Sequence, residues 1–319
     1  MDQQTTPQRY VGIDVGKHWI EVHIRPDAIA FGCETDTKGL EQLLTRLKPL
    51  TPKVIALEAT GGYEAIIVAT LANAGLPVAI VNPRQTRQFA GALGRLAKTD
   101  KIDASVIAHF AEMTKLEGQP PADPQRVELR ALLARRTQLV DMAKAEGQRA
   151  ARADNALTRR SCQKMLRQLE AEIARIERAI GQLIDACPLF RAKAALLKTI
   201  PGVGDVVART FIAELPELGS VDRHEIAALV GVAPINRDSG RWRGRRMIMG
   251  GRPQVRTPMF MACMSAIQHN RPLRVFYQRL VAGGKVKKLA LIAVMRKLVV
   301  IANAMMKSGR PWSDGAMAA

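Results

Sequence analysis

The chain has 319 residues, of which 47% are hydrophobic and only 4% aromatic, and its formal net charge at pH 7 is +19. This length predicts two or three domains, and the four widely separated cysteines form neither a zinc motif nor a disulfide framework. The N-terminus lacks the apolar segment of a signal peptide, and basic residues interrupt the most apolar stretch, residues 289–306. We therefore expect a cytoplasmic protein without a membrane span.

The positive charge is concentrated in the C-terminal part of the chain. From Arg191 to the end there are 22 Lys and Arg residues against 7 Asp and Glu residues, which accounts for +15 of the net charge. An excess of this size indicates a surface that binds a polyanion, and nucleic acid is the first candidate. A basic surface that is merely solvated is the alternative.

Hydrophobic periodicity predicts that strands at the beginning of the chain are followed by alternating helices and strands. Strands are predicted over residues 9–25, as a hairpin, and over residues 29–34, 53–58 and 77–81. Helices are predicted over residues 39–47, 63–74, 84–96 and 101–115. This pattern indicates an α/β domain with a mixed sheet over residues 1–122. The order β-β-β-α-β-α-β-α, with acids on strand 1, strand 4 and a late helix, is that of the RNase H-like fold.

Four acidic residues of this domain lie where a two-metal nuclease would need them. Asp14 and Glu58 each end an apolar run that we expect to be a buried strand, where an unpaired charge is costly. Asp100 and Asp103 are three residues apart on a predicted helix and therefore share one face. Carboxylates gathered at one point raise each other's pKa unless a cation binds, and hard oxygen ligands suit Mg²⁺. The set predicts phosphodiester chemistry with two Mg²⁺ ions; a surface position or a helix cap is the alternative for any single acid.

Residues 123–190 predict a helical region without strands. Leucine and isoleucine recur at spacings of three and four from Leu166 to Leu183, which is the pattern of a coiled-coil seam. A break near residues 153–161 divides the region into two helices, so we predict an antiparallel helical hairpin. Packing within one chain and pairing between subunits fit this pattern equally well.

Residues 191–319 predict a second helical domain, which is rich in glycine and arginine. The segment from Leu197 to Phe211 has the layout of a helix-hairpin-helix motif. In such a motif Gly202 and Gly204 would let backbone N–H groups approach a phosphate at a helix N-terminus. An ordinary turn between two packed helices is the alternative.

Ser239 lies in an arginine-rich loop of this domain. Five arginines near it are candidates for binding nucleic acid: Arg237, Arg241, Arg243, Arg245 and Arg246. Guanidinium groups bind the non-bridging oxygens of a phosphate. A serine held among them suits a nucleophile that conserves the energy of a phosphodiester bond as a phosphoserine ester. A turn or cap role beside Gly240 is the alternative.

Nearly from end to end, these motifs resemble those of the DEDD transposases of the IS110 family, which are bridge-RNA-guided recombinases of bacterial mobile elements. The motifs that carry the resemblance are Gly12-Ile-Asp14-Val, Leu57-Glu58-Ala-Thr-Gly, Asn82-Pro, Lys98-Thr-Asp100-x-x-Asp103-Ala, Ile200-Pro-Gly-Val-Gly204, Gly231-Val-Ala-Pro234, Ser239-Gly240 and Met295-Arg-Lys-Leu298. The resemblance implies a RuvC-like domain at residues 1–122, a coiled coil at 123–190 and a C-terminal transposase domain at 191–319.

The resemblance also implies roles for the candidate residues. The acids Asp14, Glu58, Asp100 and Asp103 would bind Mg²⁺, and Ser239 would be the nucleophile that becomes linked to DNA. The implied partners are donor and target DNA, a structured noncoding guide RNA, and further copies of the chain in a dimer to tetramer. In such assemblies the acids of one subunit and the serine of another are thought to form a composite site.

The predicted function is therefore that of a transposase, which excises and inserts a bacterial insertion sequence by RNA-guided strand exchange. The alternative is a metal-dependent, structure-specific DNA nuclease resembling a Holliday-junction resolvase, in which Ser239 is structural. A nucleic-acid-binding scaffold with a decayed nuclease fold is a third interpretation, and the presence of all four acids argues against it.

Overall fold

A computed structural model describes residues 7–313, with the exception of Leu96, Lys98, Pro121, Ala122, Arg237, Arg241 and Arg245. Contacts divide the chain into two units, Met1–Ala122 and Asp123–Ala319, and each unit has its own hydrophobic core. Buried residues on both sides of position 190 belong to the core of the second unit. The further domain boundary at residue 190 stays a prediction.

The first unit contains a mixed sheet of five strands, as the sequence predicts. Their bounds are β1 Tyr10–Val15, β2 Trp19–Arg25, β3 Ile29–Glu34, β4 Val54–Glu58 and β5 Val78–Val81. The strand order is β3-β2-β1-β4-β5. Strand β2 pairs antiparallel with both β1 and β3, whereas β1 pairs in parallel with β4 and β4 with β5. This topology agrees with the expected RNase H-like arrangement.

Four helices accompany the sheet, and their predicted positions are confirmed to within a few residues. Their bounds are α1 Thr37–Leu47, α2 Glu64–Asn73, α3 Pro83–Ala92 and α4 Asp100–Met113. Side chains cap three of them, since Asp36, Asn82 and Thr99 each accept a hydrogen bond from a backbone N–H of the first turn. The predicted continuation of α3 through residues 93–95 was wrong, because the chain turns at Gly94 with a φ of +72°, and Leu96 lies outside the described residues.

The two faces of the sheet are covered by different helices. Buried residues on one face, including Ile13 and Leu57, pack with Leu43 of α1 and Ile67 of α2. On the other face, Tyr10 and Ala56 pack with Ile107 of α4. Successive side chains of a strand point to opposite faces, so the even-numbered residues of β1 and β4 face α4.

Helix α4 packs unusually close to β1, and Gly12 permits this approach. A Cβ atom at Gly12 would lie 2.2 Å from the carbonyl oxygen of Ala104 and 2.3 Å from the nitrogen of Ala108. Both neighbours are backbone atoms of a helix, which cannot turn aside as a side chain would. A glycine on the strand is therefore a condition for the observed distance between strand and helix.

We expect Gly12→Ala to lower the free energy of unfolding of the first unit by about 2 to 3 kcal/mol, because the added methyl group must push α4 away from the sheet. Thermal unfolding followed by circular dichroism should show a fall in Tm of roughly 10 °C. Gly91→Ala is the matched control, since Gly91 lies in α3 with no atom within 4 Å of its would-be Cβ. That variant should be neutral or gain up to about 1 kcal/mol. Equal Tm values for the two variants would contradict this account.

The second unit begins with two long helices that form the predicted hairpin. Helices α5 Pro124–Arg152 and α6 Ala156–Ala186 are joined by three residues, and Asn155 caps the second helix. Three residues of the predicted seam, Leu169, Ile176 and Ile180, are buried in the core of this unit. Pairing of the hairpin between subunits stays a prediction.

Six more helices and four two-residue strands complete the described part of the second unit. The helices are α7 Pro188–Lys198, α8 Asp205–Glu214, α9 Arg223–Val230, α10 Pro253–His269, α11 Arg271–Ala282 and α12 Lys287–Ser308. The strands are β6 Pro234–Ile235, β7 Asp238–Ser239, β8 Trp242–Arg243 and β9 Met247–Ile248. Among the described residues, α12 alone is long and apolar enough to cross a membrane, but 56% of its apolar window is buried within the protein. Val294, Leu298 and Ala302 of this helix are buried in the core of the second unit.

Candidate functional site

The four predicted acids lie on the side of the sheet that α4 covers. Asp14 is the fifth residue of β1, and Glu58 is the last residue of the parallel neighbour β4. Both are even-numbered, so their side chains share the face of Tyr10 and Ala56. Parallel neighbouring strands end at the same edge of a sheet, which brings the two carboxylates to one region.

Helix α4 brings the other two acids to the same region. Thr99 caps the helix, and Asp100 and Asp103 are both in its first turn. The two acids lie on one face because they are three residues apart. The first turn is also the end of the helix that favours negative charge, owing to its free N–H groups.

Burial and the charges of the other three acids both affect the ionisation of Asp14. Its pKa is raised from 3.8 to about 6. Burial is the largest cause, followed by the charges of Asp100, Asp103 and Glu58. Residues from two strands and one helix therefore act on a single carboxylate, which is the convergence that the sequence pattern predicts.

The donor set fits a hard divalent cation, since it consists of carboxylate oxygens. In the described part of the chain, however, no three His, Cys, Asp or Glu side chains are close enough to hold a metal ion. Carboxylates that repel one another stay apart, and binding a cation would require these side chains to draw closer. Binding of Mg²⁺ by Asp14, Glu58, Asp100 and Asp103 stays a prediction.

We expect Asp14→Asn to raise the stability of the first unit at neutral pH in the absence of divalent cations. Below pH 3.8 the carboxyl group is protonated in both the folded and the unfolded state. Between pH 3.8 and about 6 the unfolded state loses its proton first, so the wild type loses stability as pH rises. Above this window the full cost of the charge remains.

For this half-exposed group the gain should be about 1 to 2 kcal/mol once solvent screening is allowed for. Thermal unfolding in EDTA should therefore show a Tm difference between variant and wild type that appears from pH 4 to 6 and is constant above it. A difference that is independent of pH would contradict the assignment of the raised pKa to this site.

Glu58 has a buried neighbour that the sequence analysis did not identify. The hydroxyl of Thr86, in α3, donates a hydrogen bond to Oε1 of Glu58. Only 1% of Thr86 is exposed. In the sequence, Thr86 could have been noticed only as a threonine one turn after the Asn82-Pro83 helix start. That spacing becomes informative only when β4 is known to lie beside α3.

The second candidate region is the segment that contains Ser239. We call residues 232–249 the serine arm; in it, β6 pairs with β9 and β7 with β8, both antiparallel. Ser239 is opposite Trp242 in the inner pair. Gly240 follows with a φ of +55°, and Ser239 and Trp242 are both exposed. Ser239 is therefore an exposed residue next to the turn of a small hairpin.

The two ends of the serine arm lie very close together, and glycines permit this approach. A Cβ on Gly231 would lie 2.2 Å from the carbonyl oxygen of Gly250, and one on Gly251 would lie 2.2 Å from the nitrogen of Gly231. Gly231 and Gly251 also have φ values of +77° and +70°, which favour glycine. Only residues without a side chain allow the two ends to pass this closely.

Two arginines reinforce this junction. Arg252 makes two hydrogen bonds to the carboxylate of Glu217, at 2.6 and 2.7 Å, and a third to the carbonyl of Glu214. Arg256 donates to the carbonyl of Gly250 at 2.7 Å. Both arginines form hydrogen bonds within the protein, whereas Arg243 and Arg246 of the arm are exposed. The predicted nucleic-acid contacts Arg237, Arg241 and Arg245 lie outside the described residues.

The segment predicted to be a helix-hairpin-helix forms α7, a turn and α8. Gly202 has a φ of +100°, and a Cβ there would lie 2.7 Å from the backbone of Ala266 in α10. Gly204 caps α8 and has open space around its would-be Cβ. Asp205 follows it and forms an ion pair with Lys198 at 2.9 Å. Packing against α10 accounts for Gly202, and a phosphate contact at Gly202 and Gly204 stays a prediction.

Comparison with known families gives two matches in this chain. Residues 11–157 match the DEDD_Tnp_IS110 family, described as a transposase. Residues 194–278 match the family described as "Transposase IS116/IS110/IS902 family". The first match spans all four acids, and the second spans Ser239 and both glycines of the hairpin.

Several curated proteins are similar to the chain. The pilin gene-inverting protein of Moraxella bovis is 28% identical over 313 residues, which cover 95% of this chain and 97% of that protein. The protein of the same name from Moraxella lacunata is 28% identical over 81% of each chain. An uncharacterized 44.8 kDa protein of insertion element IS116 from Streptomyces clavuligerus is 30% identical over 37% of this chain and 30% of its own length.

Proposed function

Because the chain belongs to the IS116/IS110/IS902 family of transposases, we propose that it exchanges DNA strands through a covalent link to Ser239, with Mg²⁺ bound by the four acids. As a DNA transposase, it cleaves and rejoins DNA. The observation that carries the metal-dependent part of the proposal is the convergence of Asp100, Asp103 and Glu58 on Asp14. Four carboxylates in one region are costly for the fold, and phosphodiester chemistry with a cation gives them a use.

The position of Ser239 supports its role as the nucleophile. The hydroxyl group is on an exposed hairpin whose ends are fixed by Gly231, Gly251 and Arg252. Arg243 and Arg246 are exposed on the same arm and can reach a polyanion. An exposed nucleophile on a hairpin whose two ends are held together is suited to a substrate as large as duplex DNA.

The proposed reaction is a transesterification that conserves the number of phosphodiester bonds. The Oγ atom of Ser239 forms a bond to the phosphorus, and the bond from phosphorus to a deoxyribose oxygen breaks. The hydroxyl proton of the serine is transferred in balance to the departing oxygen. A bound Mg²⁺ would neutralise the acids and stabilise negative charge on the phosphate oxygens. A new DNA hydroxyl then reverses the step and releases the serine.

The proposed partners are donor DNA, target DNA, a structured guide RNA and further copies of this chain. The net charge of +15 from Arg191 onward supports binding of nucleic-acid backbones. On the proposal, base pairing with the RNA selects the sequence, whereas the protein surface holds phosphates. Residues 123–190 form the coiled coil and residues 191–319 the transposase domain of this scheme.

Hydrolysis by a resolvase-like nuclease is the second candidate, and the curated relatives favour recombination over it. Two of them carry the name pilin gene-inverting protein. Inversion of a gene requires that cleaved strands be rejoined, whereas a nuclease that uses water leaves free ends. Convergent acids alone are compatible with both reactions.

A covalent-adduct assay tests the proposal. The full chain is incubated with labelled donor and target DNA, RNA transcribed from the element and MgCl₂, and the products are separated on denaturing gels. We expect a protease-sensitive DNA band of reduced mobility and recombinant product, both dependent on RNA and Mg²⁺. Nicked DNA without an adduct would support the nuclease instead.

A further inference from the structure

The side chain of Thr86 is buried beside one of the proposed metal-binding acids. Its Oγ1 donates to Oε1 of Glu58 and lies 3.0 Å from the carbonyl oxygen of Pro83. A hydroxyl has a single proton, and a carboxylate is the stronger acceptor of the two. The proton therefore belongs to the bond with Glu58.

The local sequence fixes Thr86 in this position. Asn82 caps α3 by accepting from the N–H of Arg84 at 2.9 Å, and Pro83 takes the first helical position. Thr86 is then in the first turn, on the inward side of the helix. The nitrogen of Ala59 donates to the carbonyl of Val81 at 3.3 Å, which fixes the end of β4 against the strand that leads into α3.

A buried hydrogen-bond donor of this kind orients the carboxylate that it contacts. Glu58 ends its strand and is only half-buried. Without a supporting contact its carboxylate could take several orientations, and this rotational freedom would be lost on binding a cation. Thr86 is β-branched and buried, which restricts its own χ1 rotation. The restriction is transmitted to Glu58 through the hydrogen bond.

We propose that Thr86 is a positioning residue, which holds the Glu58 carboxylate in the orientation needed to bind a divalent cation. This inference rests on the proposed function, because it assumes that the acids bind metal. It assigns Thr86 no contact with DNA or with the reacting phosphate. Its role is exerted entirely through Glu58.

Two substitutions distinguish the hydrogen bond that Thr86 donates from the packing of its side chain. Thr86→Val keeps the branched side chain and removes the donor, and we expect cation affinity to fall about 10- to 100-fold, as for other groups that support metal ligands. Thr86→Ser keeps the donor and loses a methyl group, and its cation affinity should stay within about threefold of the wild type. A purely structural role would give the reverse order, since packing depends on the methyl group.

The test is a titration of the full-length protein with MnCl₂, in which electron paramagnetic resonance reports free Mn²⁺ without any DNA. The variants are Thr86→Val, Thr86→Ser, Glu58→Gln and the double variant Thr86→Val/Glu58→Gln, each checked for folding by circular dichroism. If Thr86 acts through Glu58, Thr86→Val should weaken Mn²⁺ binding in the wild type but have no further effect in the Glu58→Gln protein.

The outcomes distinguish this inference from the proposed function. Equal Mn²⁺ affinity of the wild type and Thr86→Val, or an equal loss in both backgrounds, would overturn the role of Thr86 alone. A folded wild type that binds no Mn²⁺ would overturn metal binding by the acids, and the role of Thr86 with it. The role of Thr86 is supported if Thr86→Ser retains Mn²⁺ affinity and if Thr86→Val has no further effect in the Glu58→Gln protein.

Discussion

Ser239→Ala should abolish covalent capture of DNA and reduce strand exchange by at least about 10³-fold, because no other atom of the side chain can form the ester. Binding of DNA and RNA should be unchanged, since the substitution removes one exposed hydroxyl and no charge. The measurement combines denaturing gels for the adduct with a filter-binding titration of the same DNA. The expected result is therefore a loss of chemistry at constant affinity.

Ser161→Ala is the matched control for this experiment, since Ser161 is also an exposed serine of the second unit and lies in α6. It should form the adduct at the rate of the wild type. An adduct that persisted in Ser239→Ala would exclude this serine as the attachment point. Loss of DNA binding together with the adduct would mean that the substitution disturbs the serine arm as a whole.

Asp100→Asn should reduce cleavage on the order of 10³-fold and should remove its dependence on Mg²⁺ at the same time. The amide is nearly the same size as the carboxylate but brings no negative charge to the group around Asp14. Cleavage of labelled DNA is measured across a series of MgCl₂ concentrations. The expected curve is flat and low, rather than shifted to higher concentrations.

Asp185→Asn, an exposed position near the end of α6, provides the comparison with an acid outside the proposed site. It should cleave DNA as the wild type does. Full activity of Asp100→Asn with an unaltered Mg²⁺ curve would show that the acid has no part in the reaction. A shared loss in both variants would point to a general effect of net charge on DNA binding.

The elements of the first unit were predictable because local periodicity encodes them. Alternation of apolar residues predicted β1, β2 and β3. Asp14 and Glu58 were recognisable as candidates because each ends an apolar run. The end of α3 was mistaken, since the apolar pattern continues beyond Gly94 although the backbone turns there. Gly94 was itself the available signal, since glycine commonly takes a positive φ where a helix ends.

The sequence by itself determined which residue types are available: four acids at strand ends and a helix start, a serine in a basic loop, and a heptad seam. Tertiary structure alone decided how they meet. In the folded protein α4 packs against Gly12, and Thr86 donates a hydrogen bond to Glu58. Arg252 and Arg256 form hydrogen bonds at the base of the serine arm rather than with a partner. The physical reason is that periodicity reflects neighbours along one element, whereas these contacts join residues distant in sequence and depend on packing between elements.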